Sequence, residues 1–201
     1  CGTRSGPRSR AVTQQESPGD RVEDVAAELV ELLLTSGSTL ATAESLTGGL
    51  VGAAVTSVPG CSAVYRGGVV SYATELKAQL LDVDAALLGQ VGAVHPKVVE
   101  AMADGAARVL HADYALATTG VAGPSPQDGR RPGTVFVGVR GPSGVRVFDE
   151  SLDVDGPTPL DRETIRRTTT LRALRRARDL VREDLAGAGD AAREGPAGDG
   201  C

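Results

Sequence analysis

The spacing of apolar residues along this chain switches repeatedly between a helical period and the short runs typical of buried strands. The segments with helical spacing are predicted helices, at residues 17–37, 50–58, 75–81, 84–90, 96–110 and 158–186. The short apolar runs between them are predicted strands, at residues 38–44, 63–72, 113–119, 134–140 and 145–153. Helices alternating with strands indicate the α/β class, and a hairpin of the last two strands makes the sheet mixed. We therefore predict a three-layer α/β/α sandwich around a mixed sheet.

Two helix starts carry specific signals. Residues 17–20 form a Ser-x-x-Asp start with Pro18 at the first helical position, which predicts that the first helix begins there. Thr74 precedes the short helix at 75–81 and is its predicted N-cap.

Both ends of the chain have the composition of tails. Residues 1–16 are polar without periodicity, and residues 187–201 are mostly Gly, Ala and Asp, with few side chains to bury. No internal repeat or linker interrupts the remainder. We therefore predict one folded domain at residues 17–186, which is long enough for a hydrophobic core.

Composition and charge argue against several classes of partner. The 201 residues carry a net charge of -5, which argues against binding of polyanions. Aromatic residues make up only 2%, which argues against stacking on nucleic-acid bases. No apolar run reaches the ~18 residues that span a bilayer. The cysteines, Cys1, Cys61 and Cys201, have no zinc-site or disulfide-framework spacing. We expect a cytoplasmic protein without nucleic-acid or membrane partners, and without a metal or cofactor.

Two glycine-containing segments follow predicted strands and are candidates for chemistry. Residues 43–49 place Ser45 at a strand-to-helix junction, where free amide groups could bind a phosphate or a developing oxyanion. The alternative is that Ser45 or Thr47 simply caps the helix. Residues 119–124 form a second loop, also at the carboxyl end of a strand, where ligands bind in open α/β sheets.

A serine nucleophile here needs a base other than histidine. His95 and His111 are explained as a helix-start and a helix-end residue. Lysine can act as a base when burial lowers its pKa. Only two of the 21 basic residues are lysines, Lys77 and Lys97. Lys77 is the candidate base, although a solvated surface position is the alternative.

Three motifs together carry a family resemblance. The chain has TAESLTGG at 42–49, a Tyr-x4-Lys pair at 72–77 and TGVAGP at 119–124. In this order the motifs resemble the CinA C-terminal domain family, whose stand-alone members are nicotinamide-nucleotide amidohydrolases, and the similarity covers about residues 20–185. The resemblance implies hydrolysis of the carboxamide of nicotinamide mononucleotide, with Ser45 as nucleophile and Lys77 as base, directly or through Tyr72.

The resemblance also implies the remaining parts of the site. Expected oxyanion or substrate-binding residues are Glu44, Thr47, Gly48, Gly49, Gly120, Ala122 and Gly123, with the oxyanion donors among the amides of residues 47–49. No metal or cofactor is implied, and a homo-oligomer, a dimer or larger, is expected. Arg162 and Arg166 align with the family's arginines less securely, because the segment before the final helix is longer than usual, which leaves the phosphate contacts open. A non-catalytic nucleotide-binding or competence-associated regulatory module and an amidase with another substrate are the alternatives.

The final predicted helix is rich in arginine. It holds eight arginines between residues 162 and 182, interleaved with acidic residues. A nucleic-acid patch is one interpretation. A solvated face or subunit contact is the interpretation we favour, because acidic residues accompany the arginines and the chain is negative overall.

Overall fold

The computed structural model describes residues 21–155 and 160–193 of the chain. Its helices are α1 (Val22–Ser36), α2 (Leu50–Thr56), α3 (Thr74–Leu81), α4 (Ala85–Val91), α5 (Pro96–Leu110) and α6 (Arg162–Arg193). Its strands are β1 (Leu40–Glu44), β2 (Tyr65–Val70), β3 (Tyr114–Gly120), β4 (Val135–Gly141) and β5 (Gly144–Asp149). Every predicted helix and strand is present, and most bounds agree closely.

The strands form one mixed sheet in the order β2-β1-β3-β4-β5. β1 pairs in parallel with β2 and with β3, whereas β4 and β5 form the predicted antiparallel hairpin. In this register Glu44 lies beside Val70 and Thr118, so the carboxyl ends of three parallel strands meet at one edge of the sheet. The segments that leave these strands are therefore brought together.

Helices cover both faces of the sheet, which confirms the three-layer prediction. One hydrophobic core lies between the sheet and α1, α2 and α6, and includes Leu29, Leu116 and Leu174. The other lies between the sheet and α3, α4 and α5, and includes Val99 and Met102. The sheet is thus buried on both sides, as expected for strands with near-continuous apolar runs.

Glycines allow α5 to pack closely on its neighbours. A Cβ at Gly138 of β4 would lie 2.8 Å from the carbonyl oxygen of Val99, so that strand needs glycine beneath α5. A Cβ at Gly105 of α5 would overlap the carbonyl oxygen of Leu81. Since Leu81 ends α3, this close contact fixes α3 against the core.

The helix ends differ from the sequence prediction in several places, among them the end of α2 at Thr56 and the start of α6 at Arg162. α1 begins at Val22, and the predicted start at 17–20, like the predicted tail at 1–16, lies outside the described residues. Thr74 is the first residue of α3 rather than its cap. α6 continues to Arg193, past the predicted boundary at 186, because alanines extend a helix that is already nucleated. The rest of the predicted C-terminal tail, 194–201, is also outside the described residues.

Candidate active site at the carboxyl edge of the sheet

The predicted nucleophile and base meet at the carboxyl edge of the sheet. Ser45 follows β1, and Lys77 lies one turn into α3, the helix that follows β2. The Lys77 Nζ donates to Ser45 Oγ at 3.2 Å and to the carbonyl oxygen of Ser71 at 2.6 Å. Lys77 is 0% exposed, so the alternative of a solvated surface lysine is wrong.

Burial changes the acid–base chemistry of Lys77. Desolvation lowers the pKa of its ammonium from 10.5 to about 8, while the charges of Asp128 and Glu75 oppose this shift. About a tenth of the side chain is then neutral at pH 7, compared with less than one part in a thousand for an ordinary lysine. The neutral amine has a lone pair, so Lys77 can accept the proton of the Ser45 hydroxyl.

The turn that carries Ser45 is tied to β3. The Ser45 amide donates to the carbonyl oxygen of Thr118 at 3.1 Å, and the hydroxyls of Thr47 and Thr118 are 2.8 Å apart. Gly48 and Gly49 have φ of +61° and +97°, a backbone region that favours glycine. These bonds fix Ser45 at the tip of a sharp turn between β1 and α2.

Glu44 stabilises the start of α2 and does not line the cleft. Its carboxylate is 2% exposed and accepts the amides of Gly49, Val51 and Gly52 at 2.8, 3.1 and 2.8 Å. The helix start is therefore satisfied by Glu44, with Gly49 as N-cap residue, and the alternative of a Ser45 or Thr47 cap is wrong. The expectation that Glu44 binds substrate or the oxyanion is corrected, because its oxygens are committed to the helix.

Two of the three expected oxyanion donors are also committed elsewhere. The Gly49 amide bonds to Glu44, and the Gly48 amide donates to the carbonyl oxygen of Ser45 at 3.1 Å. Within the described residues, the amides of Leu46 and Thr47 donate no hydrogen bond to another group. Leu46 directly follows the nucleophile, the usual position of an oxyanion donor in serine hydrolases. Leu46 and Thr47 are therefore the donors left free for an oxyanion.

The loop after β3 completes a cleft around Ser45. Gly120, Ala122 and Gly123 line it, as predicted, in a cavity of about 100 Å³. A Cβ at Gly120 would lie 2.6 Å from the carbonyl oxygen of Thr134, so no larger residue fits there. Larger depressions of about 280 and 320 Å³ lie beside Arg172 and Leu50, away from the serine and lysine.

Tyr72 lies at the mouth of the cleft and bonds to an arginine. It is 56% exposed, and its hydroxyl accepts from Arg162 Nη2 at 2.7 Å. Arg162 Nη1 donates to the carbonyl oxygen of Gly123, also at 2.7 Å. Tyr72 thus lines the site as expected, but its hydroxyl bonds to Arg162 and to neither Ser45 nor Lys77.

Sequence reasoning missed Ser125 and Gln127 as lining residues, and it named Arg162 only as a possible counterpart of the family's arginines. Ser125 and Gln127 belong to a loop whose tip is the Asp128-Gly129 turn, closed by the backbone pair of Gln127 and Arg130. The Asp128 carboxylate anchors this tip by accepting the amide of Ala93 at 2.8 Å. The Asp-Gly pair is a turn signal that the sequence does contain.

Most arginines further along α6 form ion pairs with carboxylates. The pairs within the described residues join Arg172 and Arg176 to Glu150, Arg178 and Arg182 to Glu28, and Arg167 to Glu163. This pairing with acidic residues agrees with the interpretation favoured over a nucleic-acid patch, although Glu150 and Arg178 are largely buried and not solvated.

Two absences hold for residues 21–155 and 160–193, the part of the chain that the structure describes. No helix there is both long and apolar enough to cross a bilayer. No three His, Cys, Asp or Glu side chains come together there as metal ligands would.

Comparison with known proteins places this chain in a family. A model of the CinA C-terminal domain matches residues 22–181. A CinA-like protein of Frankia casuarinae is 46% identical over 169 residues, covering 84% of this chain and 37% of that protein. A CinA-like protein of Parasynechococcus marenigrum is 43% identical over 171 residues, covering 84% and 40%. The chain therefore spans about two fifths of the length of these curated relatives.

Solved structures agree with the fold over nearly their whole length. The competence/damage inducible protein CihA of Agrobacterium tumefaciens is 32% identical, with a TM-score of 0.72 over 79% of this chain and 93% of that one. A CinA superfamily protein of Klebsiella pneumoniae is 27% identical, with a TM-score of 0.75 over 81% and 99%.

Proposed function

This chain belongs to the CinA C-terminal domain family, and on that premise we propose that it hydrolyses the carboxamide of nicotinamide mononucleotide to nicotinate mononucleotide and ammonia. The observation that carries the proposal is the contact of 3.2 Å between Ser45 Oγ and the fully buried Nζ of Lys77. Burying an amine lowers its pKa at a cost in folding free energy, and perturbed pKa values cluster at catalytic sites.

The first chemical step is acylation of Ser45. Neutral Lys77 accepts the hydroxyl proton while Ser45 Oγ bonds to the amide carbon, whose oxygen becomes an oxyanion. The amides of Leu46 and Thr47 are the donors proposed to bind that oxyanion. The Lys77 ammonium then gives its proton to the amide nitrogen, the carbon–nitrogen bond breaks, and ammonia leaves an ester on Ser45.

The second step is hydrolysis of that ester. Lys77 is neutral again after ammonia leaves, so it accepts a proton from water as the water oxygen attacks the ester carbon. The ester bond breaks, Ser45 Oγ regains a proton from Lys77, and nicotinate mononucleotide is released. The direct contact between Ser45 and Lys77 supports proton transfer without the Tyr72 hydroxyl as an intermediary.

The mouth of the cleft suits the nucleotide end of the substrate. The cavity is of a size for the pyridine ring and its carboxamide, so the ribose phosphate would extend outward past Gly123 and Tyr72. Arg162, the first residue of α6, lies there, and both Nη1 and Nη2 of its guanidinium carry N–H donors. A guanidinium matches the geometry of a phosphate, and we assign phosphate binding to Arg162.

The test is ammonia release from the purified protein with nicotinamide mononucleotide and, separately, with free nicotinamide. We expect release from the nucleotide alone, and loss of turnover in Ser45→Ala. Release from nicotinamide alone would reject the nucleotide substrate. Folded protein that releases ammonia from neither compound would favour the non-catalytic nucleotide-binding module, and binding of the nucleotide by calorimetry would then identify it.

A further inference from the structure

The turn that carries Ser45 is held by Arg166 of α6. The Nε of Arg166 donates to the carbonyl oxygen of Leu46 at 3.0 Å, and its Nη2 donates to that of Thr47 at 2.8 Å. A Cβ at Gly48 would lie 3.1 Å from the same Nη2, so the guanidinium lies directly against the turn. Arg166 is 120 residues away in sequence from Leu46, which makes this a tertiary contact and not a local turn feature.

This contact fixes the direction of an amide group. In a trans peptide the carbonyl of one residue and the amide of the next point in opposite directions. Holding the Leu46 carbonyl toward Arg166 therefore turns the Thr47 N–H away from Arg166. The rigid guanidinium fork holds two neighbouring carbonyls at once, which a lysine ammonium on a flexible stem does less well.

We propose that Arg166 is a positioning residue, which sets the 45–49 turn so that the Thr47 amide faces the oxyanion formed by attack of Ser45. The proposal rests on the proposed function for the identity of the substrate, but not for the geometry of the turn. Two nitrogens of Arg166 donate to carbonyls of the turn, whereas Arg162 bonds to residues at the mouth of the cleft. Loss of Arg166 should therefore lower kcat and leave KM nearly unchanged.

The test compares Arg166→Gln with Arg167→Gln. Arg167 is the next residue on the same helix, and it forms an exposed ion pair with Glu163 at 2.9 Å. We expect kcat with nicotinamide mononucleotide to fall on the order of 100-fold in Arg166→Gln, as for loss of an oxyanion donor. KM should stay within about threefold, and Arg167→Gln should match the parent protein. Arg166→Lys, which keeps the charge but not the fork, should lie between them.

A second readout does not depend on the nucleotide. A fluorophosphonate probe phosphonylates an activated serine through a similar oxyanion, and its rate of labelling of Ser45 should fall in Arg166→Gln by a similar factor. Parent protein that is labelled at Ser45 but releases no ammonia would reject the proposed function while still testing Arg166. Labelling of folded Arg166→Gln or Arg166→Lys at the Arg167→Gln rate would overturn the proposal, as would a loss confined to KM.

Discussion

The cations of the cleft and those of the far half of α6 bond to different kinds of oxygen. The cleft cations are Lys77, Arg162 and Arg166, and each donates to carbonyl or hydroxyl oxygens. Among the described residues, no carboxylate forms an ion pair with any of the three. Carbonyls and hydroxyls orient a cation without cancelling its charge.

The far half of α6 shows the opposite arrangement. Arg172 and Arg176 share the carboxylate of Glu150, which is only 7% exposed, and Arg176 also lies 4.6 Å from the ring centre of Phe148. Here the charges of Arg172 and Arg176 are met by one buried carboxylate, which holds the helix against the end of β5.

The difference shows that one arginine-rich helix serves two purposes. The hypothesis of a solvated, acid-paired face describes the far half, but it does not describe the first two turns, where Arg162 and Arg166 reach the loops of the site. Uncancelled positive charge near Ser45 suits a phosphate and a developing oxyanion. The charged partners of an arginine, more than its place on a helix, thus indicate its role.

Removing the buried cation of the cleft should have the largest effect. Lys77→Met keeps the apolar length of the side chain but removes the base, and we expect kcat for the nucleotide to fall by about 1000-fold or more. Lys97→Met at the exposed start of α5 is the matched control and should be unchanged. Ammonia release measures both. Activity of Lys77→Met within tenfold of the parent would show that the base is another group.

Lys77→Met should also change how the free energy of unfolding depends on pH. The folded pKa of Lys77 is about 8, below the unfolded value near 10.4, so the folded state binds fewer protons between these values. The free energy of unfolding should therefore rise with pH across this window, by up to about 3 kcal/mol, and the penalty of burial is fully present below pH 8. Urea unfolding of the parent between pH 7 and 10 should show a rise that Lys77→Met lacks.

Replacing one arginine from each region should change a different property: substrate affinity in the cleft, and stability in the far half of α6. Arg162→Gln should raise KM for the nucleotide about 10- to 100-fold, because a charge-assisted contact with phosphate is lost. Arg176→Gln should leave KM unchanged but lower the free energy of unfolding by roughly 1–3 kcal/mol, because it weakens the pairing of buried Glu150. Steady-state kinetics and urea unfolding measure the two effects. An unchanged KM in Arg162→Gln would move the phosphate site elsewhere.

The element order, the mixed sheet and the meeting of the Ser45 and Gly120 loops could be predicted, because strand patterns and parallel edges follow from local sequence. The position of Glu44 could also have been found. Side chains alternate along a strand, and Glu44 shares its parity with Leu40, which packs toward α1 and α2. That alternation directs the carboxylate to the helix start and away from α5.

Arg162 and Arg166 could not have been assigned in this way. Their partners are loop carbonyls and a hydroxyl at least 39 residues away in sequence, and no local pattern encodes such contacts. The Gly49 amide is likewise unavailable only because the Glu44 carboxylate, at the end of β1, accepts its hydrogen bond. Tertiary hydrogen bonds of this kind decide which groups remain available for chemistry.

The smallest expected effect comes from changing Asp128, a carboxylate whose negative charge acts on Lys77. Asp128 forms no ion pair with Lys77 in the described structure, but its charge raises the lysine pKa against the effect of burial, as does that of Glu75. Asp128→Asn keeps an oxygen for the Ala93 amide and removes the charge, so the pKa of Lys77 should fall. More of the base is then neutral at pH 7.

The acidic limb of the pH profile of kcat/KM should therefore move to lower pH in Asp128→Asn. We expect less than one pH unit, because Asp128 is exposed and salt screens its charge, so the shift should shrink further at high ionic strength. Asp128→Ala also removes the anchor of the loop and should lower kcat at every pH, which separates charge from position. A limb that stays in place or moves to higher pH in Asp128→Asn would mean that the group titrating on this limb does not respond to the charge of Asp128, and so is not Lys77. The general base would then be a group other than Lys77, and the contrast between the cleft cations and the paired arginines would no longer explain the chemistry of Ser45.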